Sequence, residues 1–198
     1  MTKTVEFFFD FGSPASYLAY SQIERIARDA GADLRWRPML LGGVFKATGN
    51  VSPVTVPAKG RWMMGDLQLW ASHWGVPLRF SPHFPVNTLT LMRIAAGLQL
   101  RVSPDFRRYL DAAFSALWVD AKNIGDASVL ADVLRDAGLD AEALLALAAD
   151  PEVKAALVAT TEEAVARGVF GAPSMFVGER MFFGQDRLHF VEQALKSA

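Results

Sequence analysis

The stretch "TVEFFFDFGSPASYLAY", residues 4–20, joins a hydrophobic run to a helix start, and this junction is the strongest indication of the fold. Its first six residues are β-branched, aromatic or apolar with one exception, a composition typical of a buried strand. Ser13-Pro14 then predicts a helix, with serine as N-cap and proline at the first helical position. Redox proteins place a Cys-x-x-Cys pair at such a junction. Residues 13–16 read Ser-Pro-Ala-Ser instead, and the chain contains no cysteine.

The elements on either side of this junction extend the pattern. Gly31 ends the predicted helix, and alternating apolar residues in 32–40 predict a second strand, which completes a parallel βαβ unit. Near the other end of the chain, two short apolar runs joined by a tight turn predict a hairpin, Ser174–Val177 and Met181–Phe183, followed by a terminal helix.

The middle of the chain has a different character. Residues 42–60 hold several glycines and two prolines and predict an extended loop, and residues 60–167 show only helical periodicity. The order βαβ, helices, ββα predicts an α/β fold, a thioredoxin-like core interrupted by an all-helical insertion. Residues 1–42 and 168–198 would form the thioredoxin-like domain, and 43–167 the loop and insertion. We expect the insertion core to contain most of the large aromatic residues, with one or two lining a pocket: Trp62, Trp70, Trp74, Phe84 and Trp118.

The amino-acid composition excludes several kinds of functional site and argues against some ligands. With no cysteine among 198 residues, the chain has no disulfide, thiolate metal site or dithiol of its own. Three dispersed histidines offer no metal-ligand spacing, so we expect no metal. A net charge of −1 with scattered basic residues argues against nucleic acid. Neither a signal peptide nor a membrane-length apolar run is present, so we expect a cytoplasmic protein without membrane contact.

Ser13 allows two readings from the residues alone. It can be an ordinary helix N-cap. Alternatively, the positive helix N-terminus could hold an anion, and in a chain without cysteine a thiolate would arrive on a ligand. A serine hydrolase would need a histidine and an acid, and "GSPAS" is not the G-x-S-x-G elbow.

Three other segments contain candidate binding residues. Pro173 precedes a predicted strand, where a cis peptide bond would let the backbone of Ala172 pair with an extended peptide. Asp186 can cap the terminal helix or bind the charged end of such a peptide. In the loop, Lys46 and Asn50 are either solvated or hold a substrate carboxylate.

The sequence resembles the 2-hydroxychromene-2-carboxylate isomerases, which are grouped with kappa-class glutathione transferases in the DsbA-like branch of the thioredoxin fold. The resemblance covers nearly the whole chain in matching order, and four segments account for it: "FFFDFGSPASYLAY", "ATGN", "NTLTLMR" and "VFGAPSMFVGERMFFGQDRL".

The resemblance implies glutathione as cofactor and Ser13 as the active-site serine. It implies that Ala172, before a cis Pro173, pairs with the cysteinyl part of glutathione. It further implies sites for the γ-glutamyl end at Phe183, Gly184, Gln185 and Asp186, and for an aromatic substrate at Lys46 and Asn50. A homodimer is also implied.

The implied reaction interconverts 2-hydroxychromene-2-carboxylate and trans-o-hydroxybenzylidenepyruvate, an ene-pyruvate, as a step in aromatic catabolism. The thiolate would add reversibly to the conjugated double bond, which needs no metal or redox cofactor. Two alternatives stay open. One is a kappa-like glutathione transferase or peroxidase acting on another electrophile, and the other is a non-catalytic glutathione-binding module.

Overall fold

The computed structural model describes residues 3–197 and forms a four-stranded sheet covered by helices on both faces. The strands are β1 (Thr4–Phe9), β2 (Asp33–Pro38), β3 (Ser174–Val177) and β4 (Arg180–Phe183). The helices are α1 (Pro14–Asp29), α2 (Leu41–Thr48), α3 (Pro57–Trp74), α4 (Leu89–Leu100), α5 (Phe106–Trp118), α6 (Ala127–Asp136), α7 (Ala141–Ala149), α8 (Pro151–Ala166) and α9 (Leu188–Ser197), with 3-10 turns at Pro53–Thr55 and Gln185–Arg187.

The sheet has the order β2-β1-β3-β4, in which β1 is parallel to β2 and antiparallel to β3. Because β3 pairs antiparallel with β4 as well, the architecture is the predicted βαβ…ββα core with helices inserted between its halves. The predicted α/β, thioredoxin-like fold is therefore confirmed.

The central strand β1 is hydrophobic throughout because both faces of the sheet are covered. Phe7 and Phe9 point into the main core, which also contains the apolar faces of α1, α4, α5 and α9. Phe8 points to the opposite face and packs with Val44 and Phe176 beneath α8. Successive side chains of a strand alternate between faces, so one apolar run serves two cores.

Strand pairing positions the site. Phe8 of β1 lies opposite Ser174 of β3, and Ser174 lies opposite Phe183 of β4. The C-terminal end of β1, which leads to Ser13, therefore lies beside the start of β3. The end of β4 lies next to that start on its other side. The segment after β1 thus meets both ends of the β3–β4 hairpin, which lies more than 160 residues further along the chain.

One expectation was wrong. Part of the predicted extended loop is helical, since α2 occupies Leu41–Thr48 and packs against α8. The large aromatic residues divide as expected: Trp118 is fully buried, whereas Trp62 is 71% exposed and lies outside the core. No helix within residues 3–197 is both long and apolar enough to cross a bilayer.

Candidate active site

Ser13 caps α1, as the sequence predicted. Its backbone is extended (φ −97°, ψ 114°), and its Oγ accepts a hydrogen bond from the Ser16 N–H at 3.1 Å. The same hydroxyl donates to the backbone carbonyl of Ala172 at 2.8 Å. The side chain is almost buried, at 5% exposure. The Ser13 hydroxyl thus both accepts and donates a hydrogen bond within the protein. Its single proton points across the site to the Ala172 carbonyl.

The predicted cis Ala172–Pro173 peptide is present. Pro173 itself is buried behind the site, and its carbonyl accepts a hydrogen bond from the Gly184 N–H at 3.0 Å. Ala172 faces the open side, where it lines a cavity together with Ser13. The proline therefore fixes the connection to β4, while the residue before it forms part of the wall.

This cavity has a volume of about 460 Å³ and lies where the segment after β1 meets the two ends of the β3–β4 hairpin. Most of the residues singled out from the sequence line it: Ser13, Asn50, Ala172, Phe183, Gly184, Gln185 and Asp186. Lys46 does not, because it lies on the last turn of α2 with an exposed side chain. A volume of this size is typical of small-molecule sites.

Asp186 does not occupy the capping position that the sequence suggested. It lies inside the 3-10 turn Gln185–Arg187, and its carboxylate contacts the Arg187 guanidinium at 2.5 Å. The turn begins at Gly184, whose φ of +93° and close approach to Asp186 exclude a side chain: an added Cβ would meet Asp186 Oδ1 at 2.6 Å.

Asn50 ties the α2–α3 connection to the far wall. Its Nδ2 donates to the Phe170 carbonyl at 2.8 Å, and its Oδ1 accepts from the Val51 N–H at 2.8 Å. The Phe170 ring in turn packs on Phe183, with ring centroids 4.6 Å apart. Asn50 thereby closes the rim of the cavity through a link that spans 120 residues.

Several wall residues were missed by the sequence reasoning. Lys59 and Asp66 come from α3, a helix whose spacing indicated core packing rather than a cavity wall. The same helix supplies Trp62, one of the aromatic residues for which the sequence left core and pocket wall open. In the structure only three residues of α3 are buried, so much of the apolar surface of this helix faces the cavity or solvent instead of the core. Together with Phe45 and Phe84, Trp62 gives the cavity an aromatic side suited to a flat ligand.

The two carboxylates at the cavity, Asp66 and Asp186, influence each other. Burial raises the pKa of Asp66, and the negative charge of Asp186 raises it further. Two carboxylates that repel each other in this way favour a cation between or beside them.

Asp10 supports the site from below and was also missed. Its carboxylate accepts from the Gly12 N–H at 2.8 Å, the Thr88 hydroxyl at 2.7 Å and the Leu41 N–H at 2.8 Å. Burial raises the pKa of this carboxyl, although the three hydrogen bonds oppose that shift. Asp10 therefore links the loop before Ser13 to the starts of α2 and α4. A lone acid at the end of an aromatic strand was the available signal.

The fold and site define a thioredoxin-like domain with a serine at the helix position where redox members carry cysteine. A model of the DSBA-like thioredoxin domain matches residues 4–196. A protein of Sphingobium xenophagum named 2-hydroxychromene-2-carboxylate isomerase is 36% identical over 98% of this chain and 99% of its own length. A Caenorhabditis elegans protein named glutathione S-transferase kappa 2 is 32% identical over 94% of this chain and 88% of its own length.

A solved structure of a 2-hydroxychromene-2-carboxylate isomerase is 31% identical and superposes with a TM-score of 0.84, covering 98% of this chain and 95% of the other. This chain belongs to the DSBA-like thioredoxin domain family, in the group that contains 2-hydroxychromene-2-carboxylate isomerases and kappa-class glutathione transferases. The matched relatives support an enzyme of one of these two kinds.

Proposed function

We propose that this protein is a glutathione-dependent isomerase that interconverts 2-hydroxychromene-2-carboxylate and trans-o-hydroxybenzylidenepyruvate. The observation that supports this most is the position of Ser13 at the N-terminus of α1, opposite Ala172, in a chain without a thiol of its own. The curated relatives with the same named activity, at 31–36% identity, make this substrate pair our first choice.

The start of α1 would stabilise the glutathione sulfur as a thiolate. N–H groups in the first turn of a helix lack intrahelical acceptors, and the helix dipole adds partial positive charge there. Pro14 has no N–H, so the nearest such donor at the cavity is that of Ala15. The Ser13 hydroxyl would supply a second hydrogen bond, which lowers a thiol pKa further.

Supplying that bond requires the Ser13 hydroxyl to turn. Its proton now points to the Ala172 carbonyl, and one hydroxyl donates only one hydrogen bond. We propose that a bound peptide replaces Ser13 as the donor to Ala172. The peptide N–H would pair with the carbonyl, and the hydroxyl would rotate towards the sulfur while still accepting from Ser16.

The ends of the cavity would hold the charged ends of glutathione. Asp186 and Asp66 form the acidic end, which suits the ammonium of the γ-glutamyl residue. Lys59 is the cation among the lining residues and suits a carboxylate, either of glutathione or of the substrate. The aromatic wall at Trp62 and Phe84 would hold the substrate ring.

When bound, glutathione supplies a thiolate that adds reversibly to the conjugated double bond, so that this bond rotates as a single bond and re-forms when the thiolate leaves. The protein would hold the sulfur at Ser13 against the substrate and exclude water with its aromatic wall. Since the thiolate is regenerated, no residue of the chain changes its redox or covalent state.

The kappa-class relatives support a second candidate, a glutathione transferase or peroxidase in which the electrophile keeps or oxidises the sulfur. The same site would serve both reactions, and the walls of the substrate end would decide between them. The third reading, a module that binds glutathione without catalysis, would fit the same cavity. Homodimer formation and a cytoplasmic location stay predictions as well.

An assay of purified protein with 2-hydroxychromene-2-carboxylate, followed by ultraviolet absorbance with and without glutathione, tests the proposal. We expect equilibration with the trans-enepyruvate only when glutathione is present, without net consumption of glutathione. Stoichiometric loss of glutathione with a halogenated aromatic, and no isomerisation, would favour the transferase. Glutathione binding with neither activity would favour the non-catalytic module.

A further inference from the structure

A second cavity lies on the other side of α2 from the active-site cavity. It has a volume of about 350 Å³ and is lined by faces of α2, α4 and α8. The two cavities have no lining residue in common. On α2, Leu41 and Phe45 face the active site, whereas Gly43 and Ala47 face this second cavity. The single helix α2 therefore separates the two cavities, with one side of the helix lining each of them.

The walls of the second cavity are aliphatic. The lining residues include no aromatic side chain, and the large apolar ones come from α4, α8 and the residue before α2: Leu40, Leu89, Leu157, Val158 and Val165. Val158 is 54% exposed, a large fraction for a valine in the middle of a helix. An apolar surface left open in this way is stabilised when a hydrophobic group covers it.

Charged residues complete this lining. Arg93 of α4 and Lys154 of α8 are half-buried, and neither forms an ion pair with any residue between 3 and 197. The exposed Glu162 is the acidic residue among the lining side chains. Removing a cation partly from water without a partner is unfavourable, so these two positions favour an anion. The two cations and the one carboxylate give the lining of this cavity a net charge of +1, which suits a ligand with a single negative charge.

From these observations we infer that the second cavity is a binding site for an amphipathic monocarboxylate, with its alkyl chain among the leucine and valine side chains and its carboxylate at Arg93 and Lys154. A small inorganic anion would leave the aliphatic walls uncovered, and a neutral hydrocarbon would leave the cations unpaired. The volume lies at the small end of the range for ligand sites, which suits a medium-length chain.

Titration calorimetry with decanoate, using the full chain without glutathione, tests this site. We expect one decanoate per chain. The double variant Arg93→Gln/Lys154→Gln should weaken binding by about tenfold or more, because two charge-assisted contacts are lost. Glu162→Gln should tighten binding by about twofold or more, because it removes the repelling carboxylate. Decanol should bind more weakly than decanoate.

The control variant Arg35→Gln/Arg79→Gln removes the same charge from two exposed arginines that form no ion pair among the described residues, and it should bind decanoate like wild type. Val158→Trp gives a test without charge change, because the larger side chain should block the cavity and abolish binding. Circular dichroism verifies that each variant is folded.

Absence of binding at millimolar decanoate would overturn the inference, as would equal affinity for the wild type and the Arg93/Lys154 double variant. Loss of binding in Lys59→Gln, with Val158→Trp unaffected, would place decanoate in the active-site cavity and also refute the second site. Because the titration contains no glutathione, its outcome is independent of the proposed isomerase activity.

Discussion

At the scale of single residues, the site depends on two polar side chains buried at the end of β1. Ser13 accepts from Ser16 and donates to Ala172, so one hydroxyl both caps α1 and contacts the segment that leads into β3. Asp10 accepts three hydrogen bonds from three different segments. Since buried polar groups are costly when unpaired, both are fixed in place by their partners.

Asp10→Asn should lower the free energy of unfolding by about 1–3 kcal/mol at mildly acidic pH, because an amide leaves one of the three donors without an acceptor. The pKa of Asp10 is raised in the folded protein. The contribution of Asp10 to folding stability is therefore complete at pH values below the pKa that this carboxyl has in the unfolded chain. It declines as the pH rises through the higher pKa of the folded protein. We expect the difference between wild type and variant to narrow with rising pH.

Urea unfolding at several pH values between about 4 and 8 measures this difference. Asp33→Asn, at an exposed position on β2, is the matched control and should show no such trend. A difference that widens with pH would contradict the assignment.

Some residues of the site could be predicted from the sequence and others could not. Ser13, Ala172 and Asp186 could be predicted because local signals coincide there: a cap, a proline before a strand and a turn before a helix. Asp10 and Asp66 could not, and for Trp62 core and pocket wall both stayed open, because these roles depend on which distant segment packs beside each residue. A tryptophan at helical spacing has the same pattern whether it faces a core or a cavity.

At the scale of the elements, tertiary contact overrode local propensity in α2. Gly42, Gly43 and Gly49 favour a loop by their conformational freedom. The segment is helical because Val44 packs into the core beneath α8, and a Cβ at Gly43 would meet Thr161 Cγ2 at 3.1 Å. Gly43 thus allows close packing of α2 against α8, a reason that is not visible in the sequence.

Two helix glycines give opposite predictions for the same substitution. Gly97→Ala in α4 should lower the free energy of unfolding by about 1–3 kcal/mol, because its Cβ would meet Leu147 Cγ at 2.7 Å. Gly65→Ala in α3 should raise it by about 0.5–1 kcal/mol, because nothing lies within 4 Å and alanine favours a helix. Thermal and urea unfolding compare both variants with wild type. Equal effects of the same sign would refute the close approach of Gly97 in α4 to Leu147 in α7.

At the scale of the whole molecule, α3 presents apolar side chains to solvent. Trp62 and Leu69 are each 71% exposed, and exposed apolar surface of this kind often marks an interface. The family resemblance led us to expect a homodimer, and we propose that this face of α3 belongs to its interface.

Leu69→Glu should therefore convert a dimer into monomers in sedimentation velocity, because a charge would be buried in the interface. Leu100→Glu, at a leucine 40% exposed near the end of α4, is the matched control and should stay dimeric. A monomeric wild type, or a dimeric Leu69→Glu variant, would contradict this proposal.

The overall topology was predictable from the order of strand and helix patterns, because each terminal half has its own local signals. The meeting of the halves was not visible locally, since it depends on β1 pairing with β3 across more than 160 residues. The cavity exists only once that pairing forms.

The central claim is that Ser13 at the start of α1 holds glutathione as a thiolate. Titrating the ultraviolet thiolate absorbance of glutathione bound to wild type and to Ser13→Ala against pH tests it most directly, with Ser21→Ala as the control serine in α1. We expect a thiol pKa below that of free glutathione in wild type and the control, and a higher one in Ser13→Ala. This variant should also lose about 1 kcal/mol of stability with its cap. The same thiol pKa in all three proteins, or no binding of glutathione to wild type, would contradict it.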